Sequence, residues 1–131
     1  MKIIHYDQAE LEPVNADGAA GAKIRWLIAQ NDGAPNFALR MFEIEPSGHT
    51  PYHAHAWEHE VYVLSGTGVL QTERGELPFA ADDIIYVDPG LQHAFKNTGS
   101  GVMKFLCIIP HEQPVQKKTL NPFAGETANN C

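Results

Sequence analysis

Four of the chain's seven histidines lie between His49 and His59, in the stretch His49-Thr50-Pro51-Tyr52-His53-Ala54-His55-Ala56-Trp57-Glu58-His59-Glu60. Histidine is the commonest metal ligand and the side chain whose charge changes near neutral pH, so this density points to cation binding or proton transfer. Side chains two apart on an extended strand share a face, which puts His53 and His55 together. A tight turn through Ala56-Trp57-Glu58 brings His59 or Glu60 alongside them. In a strand starting at His59, Val61, Val63 and Ser65 share its face, whereas Glu60 goes with Tyr62 and Leu64; this parity prefers His59. A second candidate lies at Asp88-Pro89-Gly90-Leu91-Gln92-His93, where a Pro-Gly turn feeds a histidine back into a strand. His49 reads as a loop residue, and His5 and His111 as non-ligands. Glu58 reads as a solvated turn residue or an acceptor for a ligand's ring N–H, and Trp57 as packing.

The elements that must carry these residues are short strands. Ala22 to Ala29 alternates Ile24, Trp26 and Ile28 with Lys23, Arg25 and Leu27, a strand pattern. Phe37 to Ile44 is a second strand, expected to stop at the turn signal Pro46-Ser47-Gly48. Val61 to Leu64, Val69 to Glu73 with a hairpin turn at Arg74-Gly75-Glu76, a buried Ile84 to Val87, His93 to Lys96, and Val102 to Ile109 complete the series. Met1 to Asp7 suits an extra edge strand. Such spacing with Gly/Pro turns predicts an all-β sandwich or barrel with little helix. Parity in the last strand sends Met103, Phe105, Cys107 and Ile109 inward, and Val102, Lys104, Leu106 and Ile108 outward. In the second strand, Ala38, Arg40, Phe42 and Ile44 share a face. Arg40 then either holds an anionic or carbonyl group near the site or is an outer or interface charge.

The 131 residues, 44% of them hydrophobic, suit one packed domain. We expect it over residues 1–113, with a loosely held polar tail over 114–131. No apolar run reaches the ~20 residues of a membrane span. The start lacks an apolar signal segment, so secretion is not expected. A net charge of −7 with no basic block disfavours nucleic acid. Two cysteines, Cys107 and Cys131, make no disulfide framework, and a reducing, cytoplasmic setting is expected.

These motifs resemble those of the cupins, small double-stranded β-helix (jelly-roll) barrels. The first cupin motif corresponds to Gly48, His53-Ala54-His55, His59 or Glu60, and Gly66. The second corresponds to Asp82-Asp83, Ile84 to Val87, Asp88-Pro89-Gly90, His93 and Asn97, with Asp82 replacing the usual Gly and Asp88 the usual first Pro. The resemblance runs from about residue 37 to 110. The run from His53 to Glu60, together with Ala34-Pro35-Asn36-Phe37 and Phe105-Leu106-Cys107-Ile108-Ile109-Pro110, is similar to a subgroup of one-domain cupins whose metal is held by four histidines. The resemblance therefore implies His53, His55, His59 and His93 as metal ligands.

The same resemblance implies manganese, then iron, with nickel, cobalt, copper or zinc also compatible with imidazole ligands. Arg40, Phe42, Phe105, Cys107 and Ile109 are the pocket candidates. The implied function is an oxidoreductase of dioxygenase type, using O₂ or peroxide to cleave a C=C bond of a small aromatic substrate. The alternatives are a Lewis-acid isomerase or lyase, with Tyr52 or Tyr86 as proton carrier, and a non-catalytic module binding a metal or small molecule. By analogy with small barrels, a homodimer is expected.

Overall fold

The computed structural model describes residues 1–111; the expected tail at 114–131, with Cys131, lies outside them. Nine strands form one curled sheet: β1 (Leu11–Pro13), β2 (Ala20–Ile28), β3 (Phe37–His49), β4 (His59–Ser65), β5 (Thr67–Thr72), β6 (Gly75–Ala80), β7 (Ile84–Val87), β8 (His93–Asn97) and β9 (Met103–Pro110). The order is β6-β5-β8-β3-β9-β4-β7, with β2 also on β3 and β1 on β2. All described pairings are antiparallel. This is the jelly-roll arrangement that the resemblance to cupins implies. Among the described residues, helix is confined to two three-residue 3-10 turns, at Tyr6–Gln8 and Gln30–Asp32. None of the described helices is long and apolar enough to cross a membrane.

β3 is the hinge between the two halves. Its first part lies between β2 and β9, and its last residue, His49, pairs with Lys96 of β8. The expected stop at Pro46-Ser47-Gly48 is instead an excursion within the strand. The ladder to β2 steps from the pair Ala22–Ile44 directly to Ala20–His49. Ser47 takes a left-handed φ of 68°, and the Gly48 Cα sits so close to Ala20 that a Cβ would be 2.8 Å from its carbonyl oxygen. The turn chemistry bends the strand without ending it, and His49 becomes a strand residue and not a loop residue.

Three more differences have physical causes. Met1 to Asp7 does not form the edge strand, which is supplied by Leu11–Pro13. β6 was not expected, because its exposed Leu77 and the included Pro78 break the alternation; it pairs only with β5, where a proline is tolerated. β7 is only half buried: Ile84 is 78% and Tyr86 56% exposed, because β7 is the outer strand of the sheet, while Ile85 packs against the core and Val87 is buried in it.

The core lies between the two curled layers. Ile24, Phe42, Ile44, Val61, Val63, Phe95, Met103 and Phe105 are all buried there. Phe105 stacks on Phe42 at 5.0 Å between ring centroids and lies 4.6 Å from Phe95. Gly68 of β5 packs tightly: a Cβ there would lie 2.5 Å from the carbonyl oxygen of Lys96 on the neighbouring β8 and 2.7 Å from Met103 Sδ of β9. Asn97 ties the end of β8 to β3: its Nδ2 donates to the Ile44 and Gly101 carbonyls, each at 2.8 Å, and its Oδ1 accepts from Gly99 N–H at 2.8 Å.

Candidate metal centre

His53 and His93 come together through the backbone. Each donates its N–H to the other's carbonyl, at 3.1 and 2.9 Å, although His53 lies outside the named strands. Gly90, at φ 80°, donates to the His55 carbonyl at 2.7 Å, so the Pro89-Gly90 turn of the second motif locks onto the first. Asp82, where the cupin pattern has Gly, takes a left-handed φ of 74° and accepts a hydrogen bond from Tyr62 Oη at 3.0 Å. Aspartate is among the few non-glycine residues that visit this conformation.

The four rings converge. Centroid separations are 4.2 Å for His53–His55, 5.4 Å for His53–His93, 5.3 Å for His55–His59 and 5.0 Å for His59–His93. As they stand among the described residues, no three or more His, Cys, Asp or Glu side chains present ligand atoms in a metal-holding arrangement. The Nε2 atoms of His53 and His55 meet each other instead, at 3.1 Å. The donor set nonetheless fits a cation. Two adjacent ligands about 2.1 Å from one ion at right angles have nitrogens about 3.0 Å apart. His93 Nδ1 lies 2.8 Å from the Leu91 carbonyl, which makes it the N–H and leaves Nε2 as the lone pair. His59 Nε2 is buried with no hydrogen-bond partner, an expensive state unless something accepts its lone pair.

The electrostatics keep His53, His59 and His93 neutral. Burial first, then the charges of His93 and Arg40, lower His53 to about 4. Burial, Arg40 and the neighbouring histidines lower His59 to about 2. Burial also lowers His93, against the pull of the Leu91 carbonyl. Neutral imidazole is the ligating form, so no proton must be displaced near pH 7.

Between the rings is room for about 10 Å³, one water-sized body, bounded by Phe42, Thr50, Phe95 and Cys107 besides His53, His59 and His93. Of the expected pocket residues, Phe42 and Cys107 line it. Phe105 stacks behind Phe42, and Ile109 packs on the core without reaching the pocket. Arg40 is not an outer charge. It is fully buried, with Nη2 3.1 Å from Cys107 Sγ and its guanidinium carbon 5.0 and 5.4 Å from the Phe42 and Trp26 rings. It lies behind the residues that line the pocket. Thr50 and Phe95 were missed. Phe95 shares the parity of His93, and Thr50 Oγ1 accepts from Phe95 N–H at 2.8 Å.

Glu60 faces away, into an outer hollow of about 480 Å³ that it lines with Tyr62, Ile84, Tyr86, Leu106 and Ile108. Its hydrogen bond to Glu58 raises its pKa to about 7. Tyr86 therefore sits outside the pocket, and exposed Tyr52 does not line it. Trp57 stacks on His55.

Residues 40–109, just over half of the chain, match the family described as Cupin domain. The chain belongs to the cupin family. This cupin is similar to the polyketide cyclase RemF from Streptomyces resistomycificus, at 36% identity over 87% of this chain and 82% of that one, with a TM-score of 0.82. It is 32% identical over 68 residues to the Oxalate-binding protein of Thermotoga maritima, covering 51% of this chain and 56% of the relative. It is 29% identical over 75 residues to the 1-methylthio-D-xylulose 5-phosphate methylsulfurylase of Rhodospirillum rubrum, covering 57% and 48%. The chain spans about half the length of these two curated relatives.

Proposed function

We propose that this cupin is a metal-dependent enzyme whose cation, held by His53, His55, His59 and His93, acts as a Lewis acid on a small carbonyl-rich substrate of the polyketide kind. The observation that carries the reading is the buried, unpartnered Nε2 of His59 among three other converging imidazoles. Bound there, a divalent cation supplies carbonyl polarisation, with its charge uncompensated because all four ligands are neutral. The chain's own residues provide the rest. Burial holds His53, His59 and His93 in the ligating form, and Phe42 and Phe95 line the small space beside the rings with apolar surface. The substrate class is taken from the cyclase likeness, at 36% identity over most of both chains.

The all-imidazole donor set also favours a second reading, because neutral ligands raise the potential of a redox-active metal. That reading is oxygen- or peroxide-dependent cleavage of an aryl alkene by the manganese- or iron-loaded protein. One experiment separates the two. Zinc-loaded protein, under argon, is given a poly-β-keto thioester, and ring closure is followed by mass spectrometry as loss of water. Closure by the wild type and not by His93→Ala supports the cyclase reading. No closure, with oxygen uptake and alkene cleavage by the manganese form, overturns it in favour of the second. Neither activity, with zinc bound, overturns both in favour of a binding module.

A further inference from the structure

Arg40, Cys107 and His59 form a buried line of which the proposed chemistry uses only His59. Arg40 of β3 and Cys107 of β9 are direct cross-strand partners, and Cys107 also pairs with Val61, on the same face of β4 as His59. Exposures are 0%, 1% and 2% for Arg40, Cys107 and His59. Arg40 Nη2 donates to Cys107 Sγ at 3.1 Å, and His59 Nδ1 lies 3.3 Å from the same sulfur.

The donor inventory narrows what this line can do. A guanidinium has only N–H donors, so the sulfur accepts from Arg40. Between the sulfur and His59 the proton has two placements. If the thiol donates to Nδ1, the ring carries its proton on Nε2, and a buried N–H is left with no partner, at a desolvation cost. If Nδ1–H donates to the sulfur, Nε2 turns a lone pair into the space between the imidazoles.

We infer that Arg40 and Cys107 are positioning residues for His59: the sulfur, held by the Arg40 guanidinium, accepts the His59 Nδ1 proton and aims the Nε2 lone pair at the metal position. This rests on the metal reading above and adds what fixes one of its ligands. Ligating histidines usually give their second N–H to a carboxylate, a carbonyl or water. His93 follows that habit with the Leu91 carbonyl, whereas His59 has a sulfur, braced by a buried cation. Arg40 thereby acquires a role that its complete burial otherwise leaves unexplained, and Cys107 is more than core filling.

The test reads the proton directly. Long-range ¹H–¹⁵N correlation on metal-free, histidine-labelled full chain, assigned with His59→Gln, gives the His59 tautomer. Zinc affinity by chelator competition is measured alongside for the wild type, Cys107→Ala and Cys107→Ser. Expected are an Nδ1–H tautomer in the wild type and loss of about ten- to a hundredfold in affinity in Cys107→Ala, with a mixed tautomer. Cys107→Ser, which keeps an acceptor, restores both. Unchanged tautomer and affinity in Cys107→Ala overturn the inference. So does Nε2–H in the wild type, a result that stands even if the alanine variant fails to fold. A wild type with the Nδ1–H tautomer that binds no zinc overturns the metal centre and leaves the hydrogen-bond assignment intact, so the two failures are distinguishable.

Discussion

Trp57 lies flat against His55, with ring centroids 4.6 Å apart and planes within 9°. An indole stacked on a ligand senses the charge that ligand receives. Binding of zinc, which has no redox chemistry, is expected to change Trp57 emission in proportion to occupancy. Titration of the wild type and of Trp26→Phe should show the change, and Trp57→Phe should lose it. A signal that survives in Trp57→Phe and disappears in Trp26→Phe would place the cation elsewhere.

Acid should weaken the metal-free fold in a defined window. The folded state holds His53 near 4 and His59 near 2, against an ordinary value of 6.5. Between pH 6.5 and about 4 the unfolded chain therefore binds more protons, and stability falls as pH falls. Glu60 acts with the opposite sign. Raised from 4.5 to about 7, it is protonated in the fold before it is in the unfolded chain, so it adds stability as pH falls from 7 to 4.5. Urea unfolding across this range should give a steeper acid loss in Glu60→Gln than in the wild type. A flatter curve in the variant would contradict these assignments.

Asn97→Ala should be severely destabilising. The side chain is 2% exposed and serves the Ile44 and Gly101 carbonyls and the Gly99 N–H. The Ile44 carbonyl, left buried without a partner, costs about 1–3 kcal/mol, and the part-buried Gly101 and Gly99 groups cost less. Asn97→Asp keeps the acceptor for Gly99 and loses both donors, so it should unfold at a denaturant concentration no higher than the wild type's. A wild-type midpoint for Asn97→Ala would show that the loop re-pairs.

Gly68→Ala tests the close pairing of β5 with β8. A methyl there meets the Lys96 carbonyl at 2.5 Å, a backbone atom that cannot swing aside. Overpacking of this kind costs about 1–3 kcal/mol. Thermal unfolding of the variant should show a lowered Tm, and an unchanged one would mean that β5 and β8 separate freely.

Strand parity alone placed His59 inward and Glu60 outward, and it placed Met103, Phe105 and Cys107 in the core. These were legible because a period of two decides faces wherever one face is buried. The reach of β3 past Pro46 was not, because the same residues that signal a turn also build a bulge. The exposure of β7 was not, because an apolar run reads alike at the edge and in the middle of a sheet. Arg40 was the hardest residue to place: a charge on a strand reads as outward until a partner from β9, Cys107, is known to meet it.

The most direct measurement of the central claim is anomalous scattering from crystals of the full chain grown with manganese or zinc. The account predicts one strong peak within ligating distance of Nε2 of His53, His55, His59 and His93. No peak among these four rings in metal-replete crystals, or a peak held by Glu58 and Glu60, would contradict it.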